Sequence, residues 1–502
     1  MRGKGGALAI VAALAAALGG CQTKQEEEIV IADPVAEALA YAPAGAAALA
    51  VVATDPEAGP GAALARLGER FGGIELVIGQ AQATLGARLG LDVERELRPL
   101  LGYPIVLWSA DGTAARRYAA WVVRDGGRLG RLLEDREGRG VLRREPGVAE
   151  HEIYTRSDGG AYARRGPVLL TAPDAASLRI LLERRAAGRG QWTRSLLRER
   201  SLGLPEGALA RVALDARAVV AQRAGAARRV PWVAALERIA LTVTPTGGGL
   251  RVHARASTAP PPASDEVPIA SGLAPPDVRG SGPIVVGVRD PRQTAAFVRR
   301  TVDLLDPERL AGLRKAEEVL GRYARVSVQE DLLDRLAGSA TVSSRDGRTF
   351  TLRSGLDDPA VTAGALGRLG ALARFGGPLA DLAGVDLGGI AVDEQDGGRY
   401  VVTRDGRLLV ALAVVDGRLV ASTDPGVDLA AAAAVPAGPP APAAGALRGR
   451  LDAEFLKAEI VRRLGLPAFV RGALAPLGAP IVTARGERDI VDVQVVVPVA
   501  GG

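Results

Sequence analysis

The sequence contains few of the residues from which metal sites and catalytic centres are most often built. Two histidines, one cysteine and 3% aromatic residues occur among 502 positions. A zinc site of the usual cysteine and histidine type is excluded, because neither histidine has a second histidine or cysteine at ligand spacing. A single cysteine also excludes an internal disulfide. With so few aromatic rings, the core must consist mainly of Ala, Val, Leu and Ile, and many residues must contribute to its stability.

Clustered positive charge is also missing, although the chain is basic overall. The formal charge is +6 and the pI is near 9.7. The 57 acidic residues are interleaved with the 63 basic ones, and no run of five basic residues occurs. Nucleic-acid backbones are bound by clustered lysine and arginine. We therefore expect no nucleic-acid partner.

The first twenty residues have the three parts of an export signal. Arg2 and Lys4 are followed by the uncharged run "ALAIVAALAAAL", which is too short to span a bilayer but has the length of a signal-peptide core. The residues Leu18-Gly19-Gly20-Cys21 then resemble the lipobox of bacterial lipoproteins. This resemblance implies that residues 1–20 are removed and that lipid is attached to the Cys21 thiol. An ordinary secretory signal with a chance cysteine, or an uncleaved leader acting as an anchor, remains an alternative.

Lipidation at Cys21 would place the protein in the cell envelope, anchored to a membrane. By the same resemblance, Gln22 in place of aspartate indicates the outer membrane, facing the periplasm, if the host is Gram-negative. We expect residues 21–40 to form a short acidic tether.

Beyond residue 40, similar segments recur in the same order. "GAAALAVVATDP" near residue 50 corresponds to "GSGPIVVGVRDP" near residue 285, and "ALARVALDA" corresponds to "ALRGRLDA". Gly112 and Gly347 are 235 residues apart, and Asp215 and Asp452 are 237 apart. Ordered matches at a nearly constant offset predict an internal duplication. The two copies are expected at residues 41–258 and 269–502, joined by a proline-rich linker at 259–268.

The local patterns predict an α+β fold in which each copy is a domain with an antiparallel sheet backed by helices. "RIALTVT" and "LRVHARA" alternate on either side of "PTGGG", which predicts a hairpin. Asp405-Gly406 and Asp416-Gly417 predict tight turns in a three-stranded meander. Asp174 is the predicted N-cap of a helix, and Phe297, Val298, Val302 and Leu305 form one helical stripe.

The chain also resembles a bacterial family known only as domain of unknown function 3352. The segments that carry the resemblance are "YAPAGAAALAVV", "LDVERELRPLLG", "AAWVVRD", "HEIY", "GPVLLTAPDAASLRILLE" and "ALARVALDARAVV". They cover most of the first copy and, more weakly, the second. The resemblance implies an exported or membrane-anchored protein, and it implies no activity, cofactor or catalytic residue.

No nucleophile elbow, metalloprotease helix or P-loop motif occurs in the sequence. His253 alternates with arginines and is expected on the solvent face of a strand, and His151 is expected at the surface. Charged clusters precede "PLLG" in the first copy and "RLAG" in the second, where a solvated helix face is the expected structure. These clusters contain the carboxylates Asp92, Glu94, Glu96, Glu330, Asp331 and Asp334.

Three functions remain open at this point. The favoured one is a lipid-anchored, non-catalytic cell-envelope protein that binds or scaffolds another envelope component. The second is a carrier or chaperone for lipid or another apolar ligand. The third is a hydrolase that uses dispersed carboxylates. We expect no cofactor, no metal and no catalytic residue, so Cys21 is the single functional residue predicted.

Overall fold

The chain forms a mixed α/β structure around a large antiparallel sheet, as seen in a computed structural model. The coarse part of the fold prediction, strands paired antiparallel with helices packed on them, is confirmed. The residues that the structure describes are 31–55, 57–69, 92, 95–96, 98–112, 117–263, 266–270, 276, 278, 282–308, 311, 314, 317–318, 320–370, 390–395, 397–434, 446–464, 474–487 and 489–499.

The first ten strands fall between residues 48 and 258. They are β1 (Ala48–Val52), β2 (Ile105–Ser109), β3 (Arg117–Val122), β4 (Leu142–Val148), β5 (His151–Arg156), β6 (Ala161–Arg165), β7 (Val168–Ala172), β8 (Ala210–Asp215), β9 (Leu236–Thr246) and β10 (Gly249–Thr258). Antiparallel pairing places them in the order β4-β5-β6-β7-β3-β2-β1-β8-β9-β10.

The other ten strands fall between residues 284 and 498. They are β11 (Ile284–Arg289), β12 (Leu336–Ser344), β13 (Phe350–Leu356), β14 (Ile390–Gln395), β15 (Arg399–Arg404), β16 (Arg407–Val415), β17 (Arg418–Ser422), β18 (Leu447–Leu451), β19 (Ile481–Glu487) and β20 (Ile490–Pro498). Their order is β14-β15-β16-β17-β13-β12-β11-β18-β19-β20, which is the order of the first ten with ten added to each number.

Strands β10 and β20 join the two series into one sheet. They pair antiparallel from Gly249 opposite Pro498 to Ser257 opposite Ile490. His253 lies opposite Gln494. The two residues occupy corresponding positions, because each is four residues after the first residue of its strand, Gly249 in β10 and Ile490 in β20. The sheet is therefore continuous at the place where the two series meet.

Helices cover both faces of the first series. They are α1 (Pro34–Leu39), α2 (Gly59–Gly68), α3 (Gly126–Gly138), α4 (Ala175–Ala186), α5 (Arg194–Arg200), α6 (Ala216–Arg223) and α7 (Pro231–Ala235). Successive residues of β2 alternate between two cores. Val106 packs with α1, α4 and α5, whereas Ile105 packs with α3 on the opposite face. Because successive side chains point to opposite faces of a strand, β2 contributes residues to both cores.

The α-helices of the second series include α8 (Pro291–Leu305), α9 (Leu429–Ala433) and α10 (Ala453–Leu464). Residues 359–370 are helical as well. Helix α8 contains the predicted stripe, but two of its members face solvent, since Val298 is 52% and Leu305 39% exposed. Among the described residues, no helix combines the length and the apolar character needed to cross a membrane.

Several local predictions are confirmed. Strands β9 and β10 form the expected hairpin. Asp405-Gly406 and Asp416-Gly417 are the turns of the meander β15-β16-β17, with all four residues at positive φ. That conformation gives a two-residue turn whose twist matches its strands. Asp174 caps α4 by accepting a hydrogen bond from the Ser177 backbone amide.

The prediction that residues 21–40 form a tether is wrong for the last residues of this segment. Helix α1 lies inside the segment 21–40, and its Ala38 and Leu39 are fully buried in the first core. Asp33 caps this helix and Pro34 occupies its first turn. Both are standard helix-start signals, so the folded body begins before residue 40.

The proline-rich segment 259–268 begins where β10 ends, as expected of a linker. Its Glu266 forms an ion pair with Arg300 of α8 at 2.5 Å, and Ala270, just beyond it, is buried. The described part of this segment therefore packs against the second series. Its role as a boundary between two domains stays a prediction.

Candidate functional site at the centre of the sheet

A row of polar side chains crosses one face of the six central strands. Residues directly opposite each other in antiparallel strands project from the same face. The register therefore places the row on one side of β8, β9, β10, β20, β19 and β18. We call these residues the central polar row: Arg211, Thr242, His253, Gln494, Thr483 and Arg448.

A buried cluster around Asp492 lies beside the middle of the row. Asp492 is two residues before Gln494 in β20, so it projects from the same face. His253 Nε2 donates to Asp492 Oδ2 at 2.9 Å, and Arg255 Nε donates to the same oxygen at 2.8 Å. The expectation that His253 faces solvent is wrong, since its side chain is only 13% exposed. The loop after α5 covers this place, where Leu202 O accepts from Arg255 Nη1 at 2.8 Å.

Asp492 is held in its ionised form. Burial by itself would raise the pKa of this carboxyl, but the hydrogen bonds from His253 and Arg255 outweigh burial and lower the pKa below its usual value. Arg485 Nη2 lies 3.9 Å away and adds positive charge. Because the donors are on β10 and the carboxylate is on β20, this cluster fastens the two series together where they meet.

The ends of the row are two buried arginines, 237 residues apart in the chain. Arg211 and Arg448 are each 8% exposed, and burial lowers the pKa of both guanidinium groups. Arg211 Nη2 donates to Pro205 O at 3.4 Å, with Glu206 close enough to raise the pKa and partly offset burial. Arg448 has a buried Nη1 without a hydrogen-bond partner among the described residues.

His151 lies elsewhere, in the first core, and the expectation that it is a surface residue is wrong. It is 4% exposed. Its Nδ1 lies 2.6 Å from Ala149 O, which requires the proton on Nδ1, so Nε2 accepts from the Tyr41 hydroxyl at 3.0 Å. Burial lowers the pKa of His151 and raises that of Tyr41. The Arg185 guanidinium stacks 3.6 Å from the Tyr41 ring centroid, so the cluster is tightly packed.

Four of the carboxylates that suggested a hydrolase, Asp92, Glu96, Asp331 and Asp334, have structural partners. Asp92 and Glu96 form reciprocal bonds at a helix start, because the Arg95 amide donates to Asp92 and the Asp92 amide donates to Glu96. Ser327 and Asp331 repeat this arrangement 235 residues later. Glu96 also pairs with Arg136, and Asp331 with Arg368.

The Asp334 carboxylate accepts from Gln329 Nε2, and the backbone carbonyl of Glu330 accepts from Arg335 Nε. Glu94 lies outside the described residues. Asp92, Glu96, Asp331 and Asp334 therefore each make a hydrogen bond or ion pair that stabilises their own part of the fold.

Over the central part of the four innermost strands, the opposite face is lined by aliphatic side chains. Leu67 of α2 packs on its edge against Leu250. Most of these side chains are half-buried rather than buried. We call them the aliphatic face: Ile239, Leu241, Val243, Leu250, Val252, Ala254, Val482, Val491, Val493, Val495 and Val497.

This arrangement holds several charged groups inside the sheet. Within the described ranges, no group of three histidine, cysteine or acidic residues could hold a metal ion. Cys21, the one functional residue predicted from sequence, lies outside the described residues. Asp492, Arg211 and Arg448 were missed, although each is a polar residue in a strand that alternates with aliphatic ones, which is a detectable signal.

Comparison with known proteins gives little. No family model matches the chain, so the resemblance to domain of unknown function 3352 stays a prediction, and no curated protein matches either.

Among solved structures, crystal form IV of TP0453 is 10% identical, with a TM-score of 0.27, covering 45% of this chain and 80% of that one. Crystal forms I and III are also 10% identical, with TM-scores of 0.26 and 0.27. They cover 45% and 46% of this chain and 78% and 82% of theirs. These similarities are too distant to transfer a fold or a function.

Proposed function

We propose that the chain is a lipid-anchored, non-catalytic cell-envelope protein whose duplicated body binds or scaffolds another envelope component. The observation that carries this proposal is the strand order. The same ten-strand order occurs twice and is joined through the pair β10–β20, which occupy the same place in their series. Two similar α+β domains of one duplicated chain would produce this order.

A continuous sheet of twenty strands supports a scaffolding role because it is long. Nineteen strand-to-strand spacings of about 4.8 Å give a contour of roughly 90 Å across the sheet. The cluster around Asp492 fastens its centre. Such a body offers a wide surface, and the polar groups of the Asp492 cluster are occupied by internal hydrogen bonds.

The anchor in this proposal is lipid on Cys21. Because α1 begins at Pro34, the chain between Cys21 and the folded body is short. Fully extended, it spans at most about 47 Å. The body would therefore stay close to the membrane, at the outer membrane and facing the periplasm if the host is Gram-negative.

Substitution of Cys21 tests the anchor. Cys21→Ser should abolish labelling by palmitate and release the protein from membranes, whereas the neighbouring control Thr23→Ser should change neither. Gln22→Asp should retain the lipidated protein in the inner membrane of a Gram-negative host. A Cys21→Ser protein that is still labelled and still sediments with membranes would refute lipid anchoring at this residue.

Site-directed crosslinking tests the scaffolding role. Ile180 on α4 and Val298 on α8 are large apolar side chains that are 58% and 52% exposed. A photo-crosslinkable residue at either position, in the native envelope, should capture a defined protein, and the same residue in place of the exposed Arg292 serves as a control. If neither position yields a reproducible partner above that control, the scaffolding proposal fails.

A second candidate, a carrier for lipid or another apolar ligand, is favoured by the aliphatic face. The half-buried valines of β20 provide apolar area that a ligand could cover. Native mass spectrometry of the purified chain should then detect a bound lipid that is lost in Val495→Asp and kept in Gln494→Ser, which alters the opposite face. A lipid-free spectrum of the wild-type protein would rule this function out. No observation favours the hydrolase over these two.

A further inference from the structure

The chain enters the folded body beside the end of α4 and the start of α5. Asp33, which caps α1, pairs with Arg194 of α5 at 2.6 Å. Glu37 of α1 pairs with Arg185 of α4, also at 2.6 Å. These contacts fix α1 against both helices. The surface formed by residues 175–206, which we call the α4–α5 surface, is therefore the part of the body where the chain from the anchor arrives.

This surface carries positive charge that its own contacts do not neutralise. Residues 175–206 contain seven arginines and three glutamates, so two positive charges remain in excess even when the two acids of α1 are included. Arg184 lies in the last turn of α4, and Arg189 lies in the loop that follows. Both are exposed, and neither guanidinium group has an ion pair or a hydrogen bond within the described part of the chain. They are therefore available to an anionic partner.

The position of the α4–α5 surface indicates what that partner is. The chain between Cys21 and α1 spans at most about 47 Å, whereas the sheet extends roughly 90 Å across its strands. Helix α4 packs on β5, β6 and β7, near one end of the strand order, and β14, β15 and β16 form the other end. A short linker therefore keeps the α4–α5 surface at high effective concentration beside the membrane that holds the anchor.

We propose that the α4–α5 surface binds the anionic phospholipid headgroups of that membrane through Arg184 and Arg189. This inference rests on the proposed lipid anchor at Cys21 and adds to it an orientation of the body. Guanidinium groups donate paired hydrogen bonds to phosphate oxygens. Two arginines close to an anionic surface favour the docked state by about 30-fold. An acyl chain and a basic patch then act together in holding the protein on the membrane.

Quenching of a site-specific fluorophore tests the proposal. The lipidated full chain is reconstituted in phosphatidylcholine vesicles, with or without phosphatidylglycerol, that contain a headgroup-attached quencher. Since lipid blocks the Cys21 thiol, an introduced cysteine is the one free thiol of the chain. A fluorophore at Ala187→Cys, between the two arginines, should be quenched in the vesicles with phosphatidylglycerol and released by high salt. The same fluorophore at Leu409→Cys, on β16 at the other end of the sheet, should not be quenched.

Neutralisation of the arginines tests which residues are responsible. Arg184→Gln combined with Arg189→Gln should shift the docking equilibrium about 30-fold towards the undocked state, measured by quenching at position 187. Both side chains are exposed and unpaired, so the thermal unfolding temperature should not change. The matched control, Arg348→Gln combined with Arg407→Gln, removes the same charge from exposed arginines of the second series and should leave quenching unchanged.

Sedimentation with the vesicles measures the anchor separately, because both double variants should remain bound through the lipid on Cys21. Equal quenching of the two fluorophore positions, or equal quenching at position 187 in the two double variants, would overturn the proposal while leaving the anchor intact. A wild-type chain without lipid would instead refute the anchor. Binding of that chain from solution to the same vesicles, with the same pair of double variants, would then decide whether the arginines bind anionic lipid.

Discussion

Replacement of Asp492 by asparagine should loosen the centre of the sheet. The side chain of Asp492 is 5% exposed, and its Oδ2 accepts from both His253 Nε2 and Arg255 Nε, which belong to the other series of strands. Asp492→Asn keeps the shape and removes the charge. The two donors on β10 are then left beside a neutral group inside the sheet.

The size of the effect follows from burial. Removing one member of a buried pair costs about 3–5 kcal/mol. Arg255 is 25% exposed and keeps Leu202 O as an acceptor, which reduces the loss. We expect about 2–4 kcal/mol of local destabilisation. The pKa of Asp492 in the folded state lies below its usual value of 3.8, so this contribution is present above pH 3.8 and is lost as the pH falls through the folded-state pKa.

Amide hydrogen exchange in β10 and β20 measures this loss directly. At neutral pH, exchange of their backbone amides should accelerate by roughly 30-fold to 1,000-fold in Asp492→Asn. The control is Glu487→Gln on the adjacent strand β19, whose pair with Arg485 is exposed and should contribute about 0.5 kcal/mol or less. Equal exchange rates in the two variants would refute the reasoning that the Asp492 cluster fastens the two series.

Three further predictions concern the described core and turns. Since burial holds the folded-state pKa of His151 below the usual 6.5, its contribution to stability is present above pH 6.5 and is lost as the pH falls. Thermal unfolding between pH 7 and 5 should therefore depend less on pH in His151→Gln than in the wild type, and equal slopes would contradict this. Tyr41→Phe leaves His151 Nε2 without its hydrogen-bond donor and should lower the free energy of unfolding in urea by about 1–3 kcal/mol. An unchanged urea midpoint would show that this hydrogen bond does not stabilise the fold. Gly406→Ala should cost about 1 kcal/mol in thermal unfolding, because φ is +74° and an added Cβ meets no other atom, with Asp405→Asn as a near-neutral control.

Local features of the fold could be predicted because each depends on a few neighbouring residues. The Asp405-Gly406 turn depends on which residues accept positive φ, and the cap at Asp174 depends on one carboxylate and one amide. The α1 helix was missed although Asp33-Pro34 is a start signal, because the polar segment before it favoured a tether.

The surroundings of the candidate site could not be predicted in the same way. The alternation in "LRVHARA" correctly separates His253 from the aliphatic residues, but alternation identifies two faces without showing which one water reaches. The loop at Leu202, from outside the hairpin, covers that face. His151 was misplaced for a similar reason, since its cover is Tyr41, more than a hundred residues earlier in the chain.

The sequence by itself determined the hairpins, the caps, the meander turns and the low content of metal-binding residues, since these depend on composition and on contacts within a few positions. It also carries the lipobox at Cys21, which remains a prediction. Only the tertiary structure decided that β10 pairs with β20, that Asp492 meets His253 and Arg255, and that Arg448 is buried in the sheet. These features depend on which strand edges meet after the local elements have formed, and residues some 240 positions apart leave no local pattern from which that meeting can be deduced.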